Sequence, residues 1–158
     1  KFAGLDAFFQ FAGWLTMHNP RAISEAEMNA IVDQGVVTWL GRVEDVPALL
    51  KTASIIAYPS YYGEGVPRVL LEACAAGKPI VTTNHPGCRE AVLDGESGFL
   101  VPIKDAEMTA KAIEKLLQDS DLRAEMGAKS RKLAEGKFDV NLINAQTLEV
   151  YAESLKRY

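Results

Sequence analysis

The stretch that most constrains this chain is residues 55–83, IIAYPSYYGEGVPRVLLEACAAGKPIVTT. The apolar run Ile55 to Tyr58 reads as a buried strand that stops at Pro59. A loop carrying Tyr61, Tyr62, Gly63 and Glu64 follows, and Gly65-Val66-Pro67 opens a helix reaching about Ala76. Proline suits the first turn of a helix and glycine the position just past its end, so Pro67 and Gly77 bracket it. PIVTT reads as the next strand. Two carboxylates, Glu64 in the loop and Glu72 in the helix, flank the helix start. Unpaired N–H groups and partial positive charge there suit an anion such as a phosphate.

The remainder repeats the alternation. Phe8 to Gly13 and residues 36–41 read as strands, with a helix between them from Ser24 to Gly35 whose Ser24 and Glu27 form a capping box. Residues 42–53 hold a connection and short helix with Val46, Leu49 and Leu50 on its apolar face. Residues 86–95 read as a short helix closed by Gly95, and 97–102 as a fifth strand. Asp105 caps a helix with Ala110, Ile113, Leu116 and Leu117 on one face. Residues 120–138 read as two helical pieces broken near Gly127, and the last segment lines Leu148, Tyr151, Ala152 and Leu155 along one stripe. Five apolar runs separated by helices predict an α/β fold, a doubly wound, Rossmann-like parallel sheet with helices on both faces. Ligands of such sheets bind beyond the carboxyl ends of the strands, which puts the loops after Gly13, Gly41, Tyr58 and Thr83 on one rim.

The 158 residues accommodate one domain with a full core. A net charge of −4 argues against nucleic acid as main partner. No apolar run approaches the roughly 20 residues of a membrane span, and nothing at the start reads as a signal peptide. Cys74 and Cys88 match no metal-ligand spacing and read as reduced thiols of a cytosolic protein. The Asp119-Ser120-Asp121 triplet has the D-x-D pattern of metal-dependent transferases, yet it lies between two helices and reads as capping. His18 reads as a surface loop residue, His85 on the ligand rim reads either as a contact to a ligand's phosphates or as an ordinary loop residue, and Cys88, near a helix start, has no base beside it. Two readings are open for Tyr61 and Tyr62: closing over a sugar, or one packed and the other exposed. Two are also open for the glutamates. In one, Glu72 accepts hydrogen bonds from a vicinal diol such as a ribose while Glu64 orients a reacting sugar. In the other, Glu72 only pairs with Arg68 one turn back and Glu64 is a solvated loop residue.

The ordered run from Pro59 to Pro102 resembles the C-terminal domain of retaining nucleotide-sugar glycosyltransferases of the GT4 family, group 1, which have the GT-B fold. The resemblance rests on E-x7-E at Glu64 and Glu72, the Gly65-Val66-Pro67 helix entry, LEA-x-A-x-GKP, and PGCRE…DG…GFLVP. It extends from about Phe8 to the C-terminus. It implies that the chain, residues 1–158, is a nucleotide-sugar-binding domain, one half of a GT-B fold. Glu72 would hold the nucleotide ribose and Glu64 would position the donor sugar and act in catalysis. Backbone N–H groups around Gly65, Val66 and Pro67 would approach the diphosphate, although Pro67 has none of its own. Gly41, Arg42, Val43 and Asp45 would cradle the base, with a surface role for Arg42 the alternative. The family acts without a bound metal or other cofactor and retains anomeric configuration.

The resemblance also implies parts that this sequence does not contain. The domain's first strand and helix, with a phosphate-binding Arg and Lys, would lie upstream of Lys1 or be absent, as would the acceptor-binding N-terminal domain. The expectation is therefore a donor-binding half that does not turn over alone. The partners expected are a nucleotide-sugar donor, a glycan or lipid-linked acceptor bound through the other domain, and no nucleic acid. The location expected is the cytoplasm, including the inner face of the membrane through peripheral association, in surface polysaccharide or lipid-linked glycan synthesis. In the family the last helix packs on the other domain, so part of the stripe at Leu148, Tyr151, Ala152 and Leu155 is expected to be exposed. The rival from another class is a non-catalytic nucleotide-sugar sensor or interaction domain. An epimerase fits the E-x7-E context less well, and no G-x-G-x-x-G follows a strand to support a dehydrogenase.

Overall fold

A computed structural model describes Gly4 and residues 7–15 and 22–156. The chain divides into two compact units, Lys1–Ala48 and Leu49–Tyr158. In the first, β1 (Phe9–Phe11) pairs in parallel with β2 (Val37–Trp39), Phe9 opposite Val37 and Phe11 opposite Trp39. Between them lies α1 (Glu25–Asp33). Its start is the expected capping box: the Ser24 hydroxyl accepts the Glu27 N–H at 3.2 Å and the Glu27 carboxylate accepts the Ser24 N–H at 2.8 Å.

Along the chain the division falls within α2 (Val46–Thr52). The second unit continues with β3 (Ile56–Tyr58), α3 (Arg68–Ala75), β4 (Ile80–Thr83), a 3-10 turn (Cys88–Ala91), β5 (Gly98–Val101), α4 (Ala106–Gln118), α5 (Ser120–Lys137) and α6 (Val140–Leu155). Its parallel sheet has the order β3-β4-β5, with Ile56 opposite Ile80 and Ile80 opposite Gly98. The fold is α/β with all described strand pairs parallel, as the alternation predicts. The five strands belong to two hydrogen-bonded sheets rather than one, since apolar runs announce strands but do not encode which backbones pair.

Every residue of β4 is buried, because it is the central strand and is covered by helices. The core joins Leu70, Ala73 and Cys74 of α3 to Ile80, Cys88, Ala91 and Val92. The expected buried strand at residues 55–58 is a correction: β3 is only half-buried and Ala57 is exposed, as an edge strand of this sheet. The break expected near Gly127 is a second correction, for α5 runs uninterrupted through it. Gly127 is buried, and a side chain there would strike the Gly77 carbonyl oxygen. Its role is to let α5 approach the end of α3, where Gly77 (φ 66°) turns the chain. The third correction concerns residues 86–95, where the expected helix shrinks to the 3-10 turn. Asp94 is drawn to β5 instead, forming a bridge to Gly98 and accepting the Leu100 N–H at 2.9 Å.

Asp105 and Asp119 cap α4 and α5 through the Met108 and Leu122 N–H groups at 2.9 and 2.8 Å. Capping was the reading of the Asp119-Ser120-Asp121 triplet. No residue of α6 is buried, and Leu148, Tyr151 and Leu155 all stand exposed, the expected outcome for the stripe. No helix among the described residues is long and apolar enough to cross a membrane.

Candidate functional site

The site is built where β3 and β4 end. Thr82 and Thr83, fully buried on β4, donate their hydroxyls to the Tyr58 carbonyl at 2.7 Å and to the Ser60 carbonyl. These bonds tie the chain leaving β3 to the neighbouring strand and satisfy two hydroxyls that would be costly to bury unpaired. From that anchored turn, the Tyr58 hydroxyl donates to Glu64 Oε1 at 3.2 Å, and the Ser60 hydroxyl to the same oxygen at 3.4 Å. The Tyr58 phenol is pushed above its ordinary value by burial first and by the Glu64 charge second. It therefore stays a donor to Oε1 of Glu64, a residue that is itself exposed.

Gly87 supports the same loop from the β4 side. Its φ is 86°, and a side chain there would run into the carbonyl oxygens of Gly65 and Glu64. Only glycine meets both conditions without strain. Val66 packs on the core and Pro67 is buried, fixing where α3 begins. Pro67 is the N-cap and makes no side-chain cap, so the first N–H groups of α3 have no side-chain acceptor. Glu72 sits in the second turn, its Oε1 2.8 Å from Arg68 Nε. The Glu72 side chain is 25% exposed and that of Arg68 is 90% exposed. Both readings of Glu72 thus have a footing. The pair exists, but such an exposed i,i+4 partner is worth only about 0.3–0.5 kcal/mol and yields readily to a better ligand.

The other four predicted residues belong to the first unit and are described within it. The loops after β1 and β2 meet there: the Gly13 N–H donates to the Gly41 carbonyl at 2.8 Å, and Trp39 Nε1–H to the Gly13 carbonyl at 2.9 Å. The Arg42 guanidinium lies 5.7 Å from the centre of the Trp14 ring. Asp45 Oδ1 accepts the Ala48 N–H at 2.9 Å, an N-cap contact for α2. Val43 is half-buried beside them. Arg42 and Asp45 therefore have local partners of their own, as the surface alternative for Arg42 allows.

His85 Nδ1 lies 2.9 Å from the Pro86 carbonyl, which can only accept, so that nitrogen carries the proton. Cys74 and Cys88 are buried free thiols, and burial pushes the Cys74 thiol up, which makes it a poor nucleophile. His18 lies outside the described residues. Tyr61 and Tyr62 are both exposed and stack on one another, which neither sequence reading foresaw. Sequence reasoning also missed Tyr58, Ser60 and Gly87. The signal for Gly87 was present in PGCRE, whereas Tyr58 reads as an ordinary end to an apolar strand.

Comparison with known proteins shows the family and the fold. The profile of the family described as Glycosyl transferases group 1 matches residues 25–133. The capsular polysaccharide biosynthesis glycosyltransferase CapM of Staphylococcus aureus is 30% identical over 141 residues, 89% of this chain and 37% of that protein. A Campylobacter jejuni relative, the N,N'-diacetylbacillosaminyl-diphospho-undecaprenol alpha-1,3-N-acetylgalactosaminyltransferase, is 34% identical over 138 residues, 87% of this chain and 35% of its own length. The chain thus spans about a third of the length of these curated relatives. Among solved structures, HepE of Anabaena in complex with UDP superposes with a TM-score of 0.84 at 26% identity, over 92% of this chain and 41% of that one. The same protein with UDP-glucose gives 0.81 at 27% identity, with the same coverage.

Proposed function

We propose a function from the premise that this chain belongs to the glycosyl transferases group 1 family: it is the donor-binding half of an enzyme that moves a glycosyl group from a nucleoside diphosphate sugar to an acceptor. The observation that carries the reading is the start of α3, which lacks a side-chain cap, lies past the end of β3 and is flanked by Glu64 and Glu72. A helix start whose N–H groups meet no side-chain acceptor suits a diphosphate. Relatives solved with UDP and UDP-glucose support a donor of this chemistry.

In this reading the α3 N-terminus, with the backbone of Gly65 and Val66, meets the diphosphate. Glu72 exchanges Arg68 for the two ribose hydroxyls. Glu64 meets the sugar through its second carboxylate oxygen, Oε1 being held by Tyr58 and Ser60. Gly41, Arg42, Val43 and Asp45 contribute to the base. As the bond between the anomeric carbon and the phosphate oxygen breaks, charge grows on the departing phosphate and on an oxocarbenium-like ring. A positive helix end and a fixed carboxylate oppose those two charges. Retention of configuration, independence from metal, and work on a surface or lipid-linked glycan at the cytoplasmic side of a membrane complete the proposal. So does the inactivity of this half by itself.

Calorimetric titration of the chain with UDP and UDP-glucose tests the reading, alongside an upstream extension that supplies the expected basic residues. Saturable heat that Glu72→Ala removes is the expected result. If neither form gives heat, or Glu72→Ala changes nothing, donor binding at this site is wrong. Product formation by the full-length protein from labelled donor separates a transferase from a sensor.

A further inference from the structure

Beside Glu64 the rim carries a cluster that the proposed donor contacts leave unused. The Tyr61 and Tyr62 rings stack with centroids 4.6 Å apart and planes inclined by 23°, and both stay exposed. The Lys104 ammonium, from the loop after β5, lies 5.0 Å from the Tyr61 centroid. Lys104 is the one described non-glycine residue with a positive φ, 60°. A lysine pays strain to sit there, and such strain gathers where the surroundings hold a residue for a task. Among the described residues Lys104 makes no ion pair.

Single exposed apolar residues are ordinary. Two stacked rings left in solvent, with an unpaired cation over one of them, present a different surface. An aromatic face takes the C–H side of a saturated ring, and an ammonium without a carboxylate takes an anion. We infer that Tyr62 and Lys104 form a subsite for a pyranose that carries an anionic group, with Tyr61 holding the two in place. That chemistry has two sources: the donor's own glycosyl group beside its diphosphate, or a separate phosphorylated or carboxylated saccharide. The inference deepens the proposed function in that Tyr61 and Tyr62 share the loop of Glu64, but the subsite's chemistry stands on its own residues.

The test is an amide chemical-shift titration of the isotope-labelled chain with glucose 6-phosphate, glucose, inorganic phosphate and UDP-glucose. Signals of Tyr62 and Lys104 report this subsite, and those of Gly65 and Val66 report the donor site. Movement of Tyr62 and Lys104 with glucose 6-phosphate, beyond that given by glucose or phosphate, assigns a separate anionic saccharide. Movement with UDP-glucose alone assigns the donor's glycosyl group. In either case Tyr62→Ala and Lys104→Ala each weaken the response about fivefold or more. Lys104→Gly, which relieves the backbone but removes the ammonium, weakens it as much as Lys104→Ala. The inference is overturned if neither sugar ligand moves these signals, if phosphate moves them as far as glucose 6-phosphate does, or if the variants bind unchanged. Movement of Gly65 and Val66 with UDP-glucose while Tyr62 and Lys104 stay still with every ligand sinks this subsite and leaves the donor reading intact. The converse pattern sinks the donor reading alone.

Discussion

The two ends of β3 and β4 handle charge in opposite ways. At the amino end an open cleft of about 380 Å³ is lined by Lys51, Lys78 and Arg123, among others. Two of these cations are spent on helix carbonyls: Lys78 Nζ donates to the Lys51 carbonyl at 2.9 Å, and Arg123 to those of Leu116 and Leu117 at 2.6 and 2.9 Å. They close the C-termini of α2 and α4, where partial negative charge collects. At the carboxyl end the helix start has no side-chain cap, Glu72 holds only an exposed arginine, and Lys104 has no ion pair among the described residues. On the proposed reading, the donor meets the end where polar groups remain available, and the cleft lies at the end where they are consumed in holding the fold.

The sharpest way to break this contrast is a pair of glycine substitutions. Gly127→Ala, beside Gly77 and Pro79 at the amino end, presses a methyl onto the Gly77 carbonyl and is expected to cost about 2–3 kcal/mol. Thermal melting should show a fall of roughly 5–10 °C. Gly87→Ala meets the Glu64 and Gly65 carbonyls with an unfavourable φ, so nucleotide-sugar affinity should fall by about tenfold or more, beyond what its loss of stability explains. Equal losses of affinity in the two variants would erase the distinction between the ends.

Glu72→Ala comes next. It should lower donor affinity about tenfold while moving the melting temperature by no more than about 2 °C, because its exposed pair with Arg68 is weak. Arg68→Ala should leave affinity within about twofold, since the arginine only occupies the carboxylate in the free state. At the amino end, Arg123→Ala should cost about 1 kcal/mol through the lost bonds at the end of α4, with donor affinity unchanged in the same titration.

The smallest effect is one of pH. Hydrogen bonds from the Ser24 backbone and side chain hold Glu27 below its usual 4.5, and the Lys137 ammonium holds Glu90 below the same value. Carboxyls lowered in the folded state stabilise it above their unfolded pKa, and that contribution is lost as pH falls through the folded value. Melting temperature should therefore decline slightly from about pH 5 downward. Glu27→Gln combined with Glu90→Gln should flatten that decline. Both groups are exposed and neither is among the proposed donor contacts, so donor affinity should not follow it.

Local signals were enough to place most elements. Ser24 with Glu27, Asp105, Asp119, and Pro67 with Gly77 each mark a helix end by chemistry that acts over three or four residues. Periodicity found Ile113 and Leu116 on the buried face of α4. The candidate site at Glu64 and Glu72 rests on the family resemblance, since their spacing in one loop and one helix leaves a plain pairing of Glu72 with Arg68 equally open. What was misread depends on neighbours distant in sequence. Gly127 looks like a break until α5 is seen against Gly77, and Tyr58 looks like strand filler until the loop folds Glu64 back onto its hydroxyl.

The sequence by itself determined that this chain alternates strands and helices, that α3 opens at Gly65-Val66-Pro67 between two carboxylates, and that the last helix has an apolar stripe. Each follows from residue types within a turn or two of one another. Only the tertiary structure decided which strands pair and that Gly87 holds up the Glu64–Gly65 backbone. It also decided which lysines and arginines are consumed at helix ends and that Lys104 comes to lie over Tyr61. Those outcomes depend on close packing between segments tens of residues apart, where fractions of an ångström decide whether a group is bonded, blocked or left free.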